Sequence, residues 1–345
     1  MKYYKEFFEE LKNLNQEELL NEKYKKKLKD IVFEYIKEYC NYNEEYVYKY
    51  VSNKGNYDIE NLNSSQLFFT RSDNFNDPKD CLVNFDENKI LLELKNKIFN
   101  TFSYCIEGAN LGAKGDGIEY FKGKIITEEN ILEDLKKFLK DEALPKEYRE
   151  MITKFLLIRE KALDDLKKDI QTNTYITCFS TNSNDENLWI NYANNFEGFC
   201  LKYRLEDLSK FNDFDRFNET KSIIEFFSKV IYEERKPDIS NKLKWKKYRN
   251  NENLNILLRY IGIYSKEKTG SNGEKWEIEK EWRWAISIIE GESIEKYKGI
   301  KAIENKGILR KVPLPKAIFI GKNMKKEQIE KIKKYCDENN IALEK

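Results

Sequence analysis

Between residues 88 and 170 apolar side chains recur every three to four positions, in "NKILLELKNKIFNTF", in "TEENILEDLKKFLKDEAL" and from about Lys146 to Ile170. On either side the spacing changes to short alternating runs. Period 3.6 marks helix and period 2 marks strand, so one helical block interrupts a set of strands. The expected fold is α+β, a mixed and largely antiparallel sheet with an N-terminal helical pair and a helical insertion. The expected organisation is one compact domain over residues 1–345, with helices over 1–44, the insertion over 88–170 and a sheet-rich remainder over 171–345.

Within that frame, Phe7, Phe8, Leu11 and Leu14, then Leu28, Val32, Tyr35 and Ile36, give the first two helices. "YVYKYVS" and "LFFTRS" read as strands joined by a polar connector, and "NFNDPKD" as a turn. Strands follow at Tyr175 to Ser180 and Phe199 to Tyr203, around a short helix near Leu188 to Asn194 that Gly198 helps to terminate. A helix is expected near Leu254 to Lys266, a strand in "EWRWAISII", and strand, helix, short strand at the end. Thr127 is placed to cap the helix that follows it. "GANLGAKGDG" lacks the Lys-Ser/Thr of a phosphate loop and reads as a connector.

Histidine is absent. Ser-His and Cys-His triads and His-ligated zinc are therefore excluded, and any chemistry falls to carboxylates, Tyr, Lys, Arg, Ser, Cys or the backbone. The 62 basic and 61 acidic residues cancel to +1, which gives no bulk attraction to nucleic acid. Six cysteines without a C-x-x-C pair read as free thiols of a reducing compartment. No run approaches the ~18 apolar residues of a spanning helix, and the start lacks a signal-peptide segment. A cytoplasmic protein with no membrane partner is expected, its oligomeric state left open.

Several groupings carry possible chemistry. In an extended segment Glu279 and Glu281 project to one side, ~7 Å apart, with Trp282 and Trp284 beginning the opposite face. Two such carboxylates serve cation stabilisation and acid-base work, or are solvated charges paired with Lys280 or Arg283. Ser180, Thr181 and Ser183 are delivered by "YITCF" to a sheet edge, as ligand contacts or as a hydroxyl turn and helix cap. Arg71 leaves a strand where a guanidinium can clamp phosphate. Asp77 and Asp80 are a feeble magnesium signal, and Asp77 suits a turn. Tyr48 and Tyr50 share a strand face and can stack on a flat ring, whereas Trp189 and Tyr192 read as packing.

The ordered set "YKYVS", "NLNSSQLFFTRSDNFNDPKD", "CFSTNSNDENLWINYANNFEGFCLKY", "VIYEERKP", "EKEWRW" and "LPKAIFIGKNM" resembles the bacterial family catalogued as domain of unknown function 2971. Arg71, then "FSTNS", then Glu279-Lys280-Glu281 also resemble the Arg, Ser-Thr-Ser, Glu-x-Glu order of ADP-ribosyltransferases, although Asn182 breaks the Ser-Thr-Ser triplet and Arg71 lies on the second strand. The second resemblance implies NAD as substrate and no metal. It implies that Glu281 meets the nicotinamide ribose, Glu279 orients an acceptor, Ser180, Thr181 and Tyr50 support the pocket, and Arg71 meets the pyrophosphate. The expected function is then an NAD-consuming, ADP-ribosyltransferase-like enzyme, of the kind found as a toxin or antiviral defence effector. It would have a nucleotide or dinucleotide ligand and a macromolecular acceptor or regulatory partner. A non-catalytic nucleotide-sensing or protein-binding module, and a magnesium nuclease using Asp77, Asp80 and the two glutamates, remain the alternatives.

Overall fold

The computed structural model describes residues 45–54, 57–77, 79–84, 87–115, 117–127, 129–211, 223–236, 259–270, 273, 275–288, 294 and 300–344. The helical pair expected over residues 1–44 lies outside them. Contacts divide the chain into two compact units, one of residues 1–83, 170–237 and 250–345, the other of residues 84–169 and 238–249.

The second unit holds most of the helical block, as α2 (Glu87–Asn110), α3 (Ile131–Lys140) and the greater part of α4 (Lys146–Thr172). Its core is built from Phe102, Phe121, Ile131, Leu135 and Ile152, all fully buried. Acids begin α3 (Glu133, Asp134) and lysines end it (Lys137, Lys140), which matches the helix dipole. Thr127 does not cap that helix. The helix starts after Asn130, and the Thr127 hydroxyl accepts from the Asn130 amide one turn too early. The glycine-rich loop is a turn in which Gly112, Gly115 and Gly117 take φ of 85°, 112° and 74°.

The first unit is organised by a ten-stranded sheet, with β1 (Tyr46–Val51), β2 (Gln66–Arg71), β3 (Thr174–Ser180), β4 (Phe199–Arg204), β5 (Ile223–Lys229), β8 (Glu281–Ile288), β9 (Ile300–Ile303), β10 (Gly307–Lys311), β11 (Ala317–Ile320) and β12 (Ala342–Glu344). The order is β12-β11-β4-β1-β3-β2-β10-β9, with β8 paired to β3 and β5 beyond it. Only the β11–β12 pair is parallel among its described pairs, so the sheet is mixed and largely antiparallel. A separate parallel pair joins β6 (Ile231–Glu233) and β7 (Ser265–Glu267). The remaining labelled helices of this unit are α1 (Tyr57–Asn63), α5 (Glu186–Tyr192), α6 (Leu205–Phe211) and α7 (Lys326–Asn339).

Strand β3 has one edge fully paired, Thr174–Ser180 against Ser287–Glu281 of β8. Its other edge is shared. β1 meets it only at Tyr48↔Ser180, and β2 only at Thr70↔Ile176 and Arg71↔Tyr175. Between those bridges, Thr177 to Phe179 face no partner strand on this side, and β1 and β2 part to leave a gap in the sheet. Gaps of this kind, where strands diverge, are natural ligand sites because polar backbone and side chains meet there without filling it.

The face of β8 away from that gap is aromatic. Trp282 and Trp284 are fully buried, Trp282 stacked on Phe227 and Trp284 edge-on to Phe69. The connector expected between β1 and β2 contains α1, a short helix whose Ile59 and Leu62, three apart, are both buried. The helix expected near Leu254 to Lys266 ends sooner, since 259–264 is helical and β7 begins at Ser265, and its first residues lie outside those described. Among the described residues no helix is long and apolar enough to cross a membrane, and the five described cysteines, Cys81, Cys105, Cys178, Cys200 and Cys336, are all free.

Candidate functional site

A cavity of about 390 Å³ opens beside the gap. The strand pair β3/β8 forms one wall, because Ser180 stands opposite Glu281 and Cys178 opposite Arg283, and cross-strand partners share a face. Tyr50 of β1, Thr70 of β2 and Tyr192 at the end of α5 close the other sides. The volume falls within the ~300–1,000 Å³ of small-molecule sites.

The polar wall is a buried charge network. Arg283, with no exposed surface, donates to Glu281 through Nε (2.8 Å to Oε1) and Nη2 (3.0 Å to Oε2). The same guanidinium reaches Asp80 at 2.8 and 2.7 Å and the Ile263 carbonyl at 2.7 Å. Lys266 bridges the front of the network, 3.1 Å from Glu279 and 3.3 Å from Glu281, and stands 4.4 Å over the Trp276 ring. Lys236 donates to the Lys79 and Leu82 carbonyls and so fixes the loop carrying Asp80.

The two glutamates differ although they are two residues apart. The extended spacing expected for them does not hold. Trp276–Glu279 is a 3₁₀ turn, Lys280 is left-handed (φ 44°), and β8 begins at Glu281. The carboxylates still converge, on Lys266. Burial alone would raise the Glu281 carboxyl, but Arg283 and Lys266 overcome it and hold it below its ordinary range. Asp80 is depressed for the same reason: burial opposes, and Arg283 with Lys266 outweighs it. At Glu279 burial wins, only partly offset by Lys266 and the Tyr192 hydroxyl, and its carboxyl is raised. Glu279 is also the more accessible of the pair, at 16% side-chain exposure against 6%. Tyr192 donates to its Oε1 at 2.8 Å.

Ser180 is tied to this arrangement through its hydroxyl, which donates to the Glu279 carbonyl (2.7 Å) and accepts from the Asn182 amide (3.0 Å). It is a hydroxyl turn and a cavity contact together. The helix cap belongs instead to Asp185, which accepts from Asn187 and Leu188. Tyr50 donates to the Asn182 carbonyl at 2.7 Å and lies edge-on to Trp189, which stacks on Phe196. Trp189 is thus packing, while Tyr192 reaches the cavity. Gly198 acts by close approach: a Cβ there would stand 1.9 Å from the Val51 carbonyl oxygen, and the chain after α5 turns through Asn194, Asn195 and Phe196, all at positive φ.

Of the residues singled out in the sequence, Glu279, Glu281, Ser180 and Tyr50 come together on the cavity. Thr181 is buried but is not part of its lining, nor is Arg71, whose guanidinium is paired with Asp73 at 2.6 and 2.8 Å. Alternation explains Arg71: Thr70, its neighbour, is the β2 residue facing the cavity. Asp77 is a turn residue, accepting from the Lys79 amide. Asp80 does join the two glutamates, but around Arg283 and Lys266. Among the described residues no three acids or cysteines are placed to hold a metal ion.

Sequence reasoning missed Lys49, Lys266 and Arg283 as site residues. Lys49 lines the cavity half-buried, and burial lowers its ammonium from the usual lysine range. The signal available was weak: a lysine inside an otherwise aromatic strand, and an arginine between two tryptophans in "EWRWAISI".

Residues 188–284 match a family model. That family is described as a protein of unknown function, DUF2971. The matched segment runs from within α5 into β8 and contains Tyr192, Lys266, Glu279, Glu281 and Arg283, but not Lys49, Asp80 or Ser180. No curated protein and no solved structure matches the chain.

Proposed function

We propose that the cavity binds a nicotinamide dinucleotide and that the chain cleaves its glycosidic bond, with Glu279 as the carboxylate facing the ribose. The observation carrying this reading is the meeting of Ser180, Glu279 and Glu281 on the wall of one cavity. As nicotinamide departs with the bonding electron pair, positive charge develops on the sugar, and a fixed carboxylate in an enclosed site stabilises that charge. Glu281 and Asp80 together already neutralise Arg283 and Lys266, so the charge of Glu281 is spent inside the protein. Glu279 shares one lysine and one tyrosine hydroxyl and keeps a face toward the cavity. The rings of Tyr50 and Tyr192 offer stacking surface for the departing base. Water or a macromolecular nucleophile captures the sugar cation. A chain with this activity would act in the cytoplasm, where NAD is available, as a toxin or a defence effector.

The complete pairing of Glu281 favours one other reading, a nucleotide sensor that binds without turnover. Calorimetry with NAD, alongside chromatographic measurement of nicotinamide release, separates the two. Expected are NAD binding and release by the wild type, with release falling by about 10²-fold in Glu279→Gln while binding persists. Binding without release establishes the sensor, and absence of both overturns the nucleotide reading.

A further inference from the structure

A second cavity, of about 220 Å³, lies between α1 and the strands β1 and β2, and each of these elements turns one face into it. On α1, Asp58, Asn61 and Leu62 stand three and four residues apart and share a side of the helix. On β2, Gln66, Phe68 and Thr70 alternate onto one face of the strand. On β1, Lys49 and Val51 pair with Leu201 and Phe199 of β4, so Lys49 rises from an apolar floor.

Among the described residues of this lining, Lys49 is the one base and Asp58 the one acid. They attract each other through space without closing to a hydrogen bond or an ion pair. Each has other company: Cys178, Glu281 and Cys200 also act on Lys49, and the backbone amides of Asn53 and Lys54 donate to Asp58. Burial still prevails at both, lowering the Lys49 ammonium and raising the Asp58 carboxyl. Two opposite charges that border one space, each desolvated beyond what its neighbours return, are completed best by a ligand carrying both signs. A purely anionic ligand would meet Asp58, and a purely cationic one Lys49.

Size narrows the class. Water occupies ~30 Å³ per molecule in the liquid, so the space holds about seven groups of that size. That is the scale of a free amino acid and is below the ~300–1,000 Å³ of drug-sized ligands. Leu62, Phe199 and Leu201, all buried, give the space an apolar side. Asn61 and Gln66 add amides, which serve either charge.

We infer that this cavity binds a free aliphatic α-amino acid, its ammonium on Asp58, its carboxylate on Lys49 and its side chain against Leu62, Phe199 and Leu201. The assignment is independent of what the larger cavity holds, although Lys49, Tyr50, Thr70 and Tyr192 border both.

The test is calorimetry on the full chain with valine and leucine. Two controls accompany them: 4-methylpentanoate, which is leucine without its ammonium, and 3-methylbutylamine, which is leucine without its carboxylate. Leucine is expected to bind, and each control to bind roughly 10- to 100-fold more weakly, the effect of losing one charge-assisted contact. Lys49→Met removes the charge at similar reach. It is expected to weaken leucine by the same factor and not to weaken 3-methylbutylamine. Asp58→Asn keeps an acceptor for the Asn53 and Lys54 amides, and is expected to weaken leucine likewise without weakening 4-methylpentanoate. Absence of binding by both amino acids overturns the site. Controls that bind as well as leucine overturn the two-charge recognition, and a variant that weakens all three leucine-series ligands alike overturns the role given to that residue. If a variant does not fold, the wild-type comparison of leucine with its two controls decides.

Discussion

Replacing Arg283 by Met removes the cation around which the site is built while keeping a side chain of similar reach. Asp80 and Glu281, 3% and 5% exposed, would then keep Lys266, at 3.8 and 3.3 Å, with Lys236 and the Cys81 amide as further support for Asp80 only. Breaking a buried ion pair by deleting one partner costs about 3–5 kcal/mol, because the remaining charge is left uncompensated. That is a large share of the ~5–15 kcal/mol by which domains are stable. Urea denaturation followed by tryptophan fluorescence is the assay, since Trp282 and Trp284 flank the substitution and are fully buried. The acid dependence adds a second readout. Asp80 and Glu281 have depressed carboxyls in the folded chain. Their stabilisation is therefore present above the unfolded values near ~4 and is lost as pH falls through the folded ones. In Arg283→Met that depression is largely gone, so the gap between variant and wild type narrows as pH drops below about 5. A loss under about 1 kcal/mol at neutral pH, or a gap that does not change with acidification, would show that the network contributes little and that the reasoning is wrong.

The two glutamates provide a paired comparison by the same method. Glu281→Gln is expected to destabilise by about 3 kcal/mol, because it strips a partner from Arg283 and Lys266. Glu279→Gln, whose carboxyl is raised by burial, should cost less than about 1 kcal/mol, and an equal loss in both would refute the distinction. Lost activity in Glu281→Gln is therefore interpretable only with a folding control. Gly198→Ala places a methyl against backbone carbonyls of Val51 and Ala193 that cannot swing away, so a loss of about 2 kcal/mol or more is expected in the same denaturation assay. A variant as stable as wild type would mean that β1 and the turn after α5 are not packed as described.

Strand and helix identities were legible where periodicity was long. The helical block, β1 to β4, β8 and the closing strand, helix and strand follow from spacing alone. α1 was hidden because only two of its described side chains are buried, too few to establish a period. At the site, Glu279 and Glu281 were found through an argument about strand alternation that their actual backbone does not obey. They converge because Lys266 lies between them, and nothing local in the sequence pairs residue 266 with 279 and 281. Arg71 misled because a one-residue offset on a strand reverses the face, and the strand's phase relative to the gap is set by its pairing with β3 and β10. Asp80 and Arg283 are held together across a separation of 203 residues, which no spacing rule reaches.

The pairing of β3 with β8 has a consequence during synthesis. Ser180 and the Glu279 carbonyl it bonds are 99 residues apart, so at about 5–20 residues per second the ribosome leaves the apolar strand β3 without its main neighbour for roughly 5–20 s. The cavity wall is among the last features a growing chain acquires. A nascent chain stopped before Glu281 lacks both Glu281 and Arg283, so Asp80 has yet to meet the guanidinium that holds it in the finished wall.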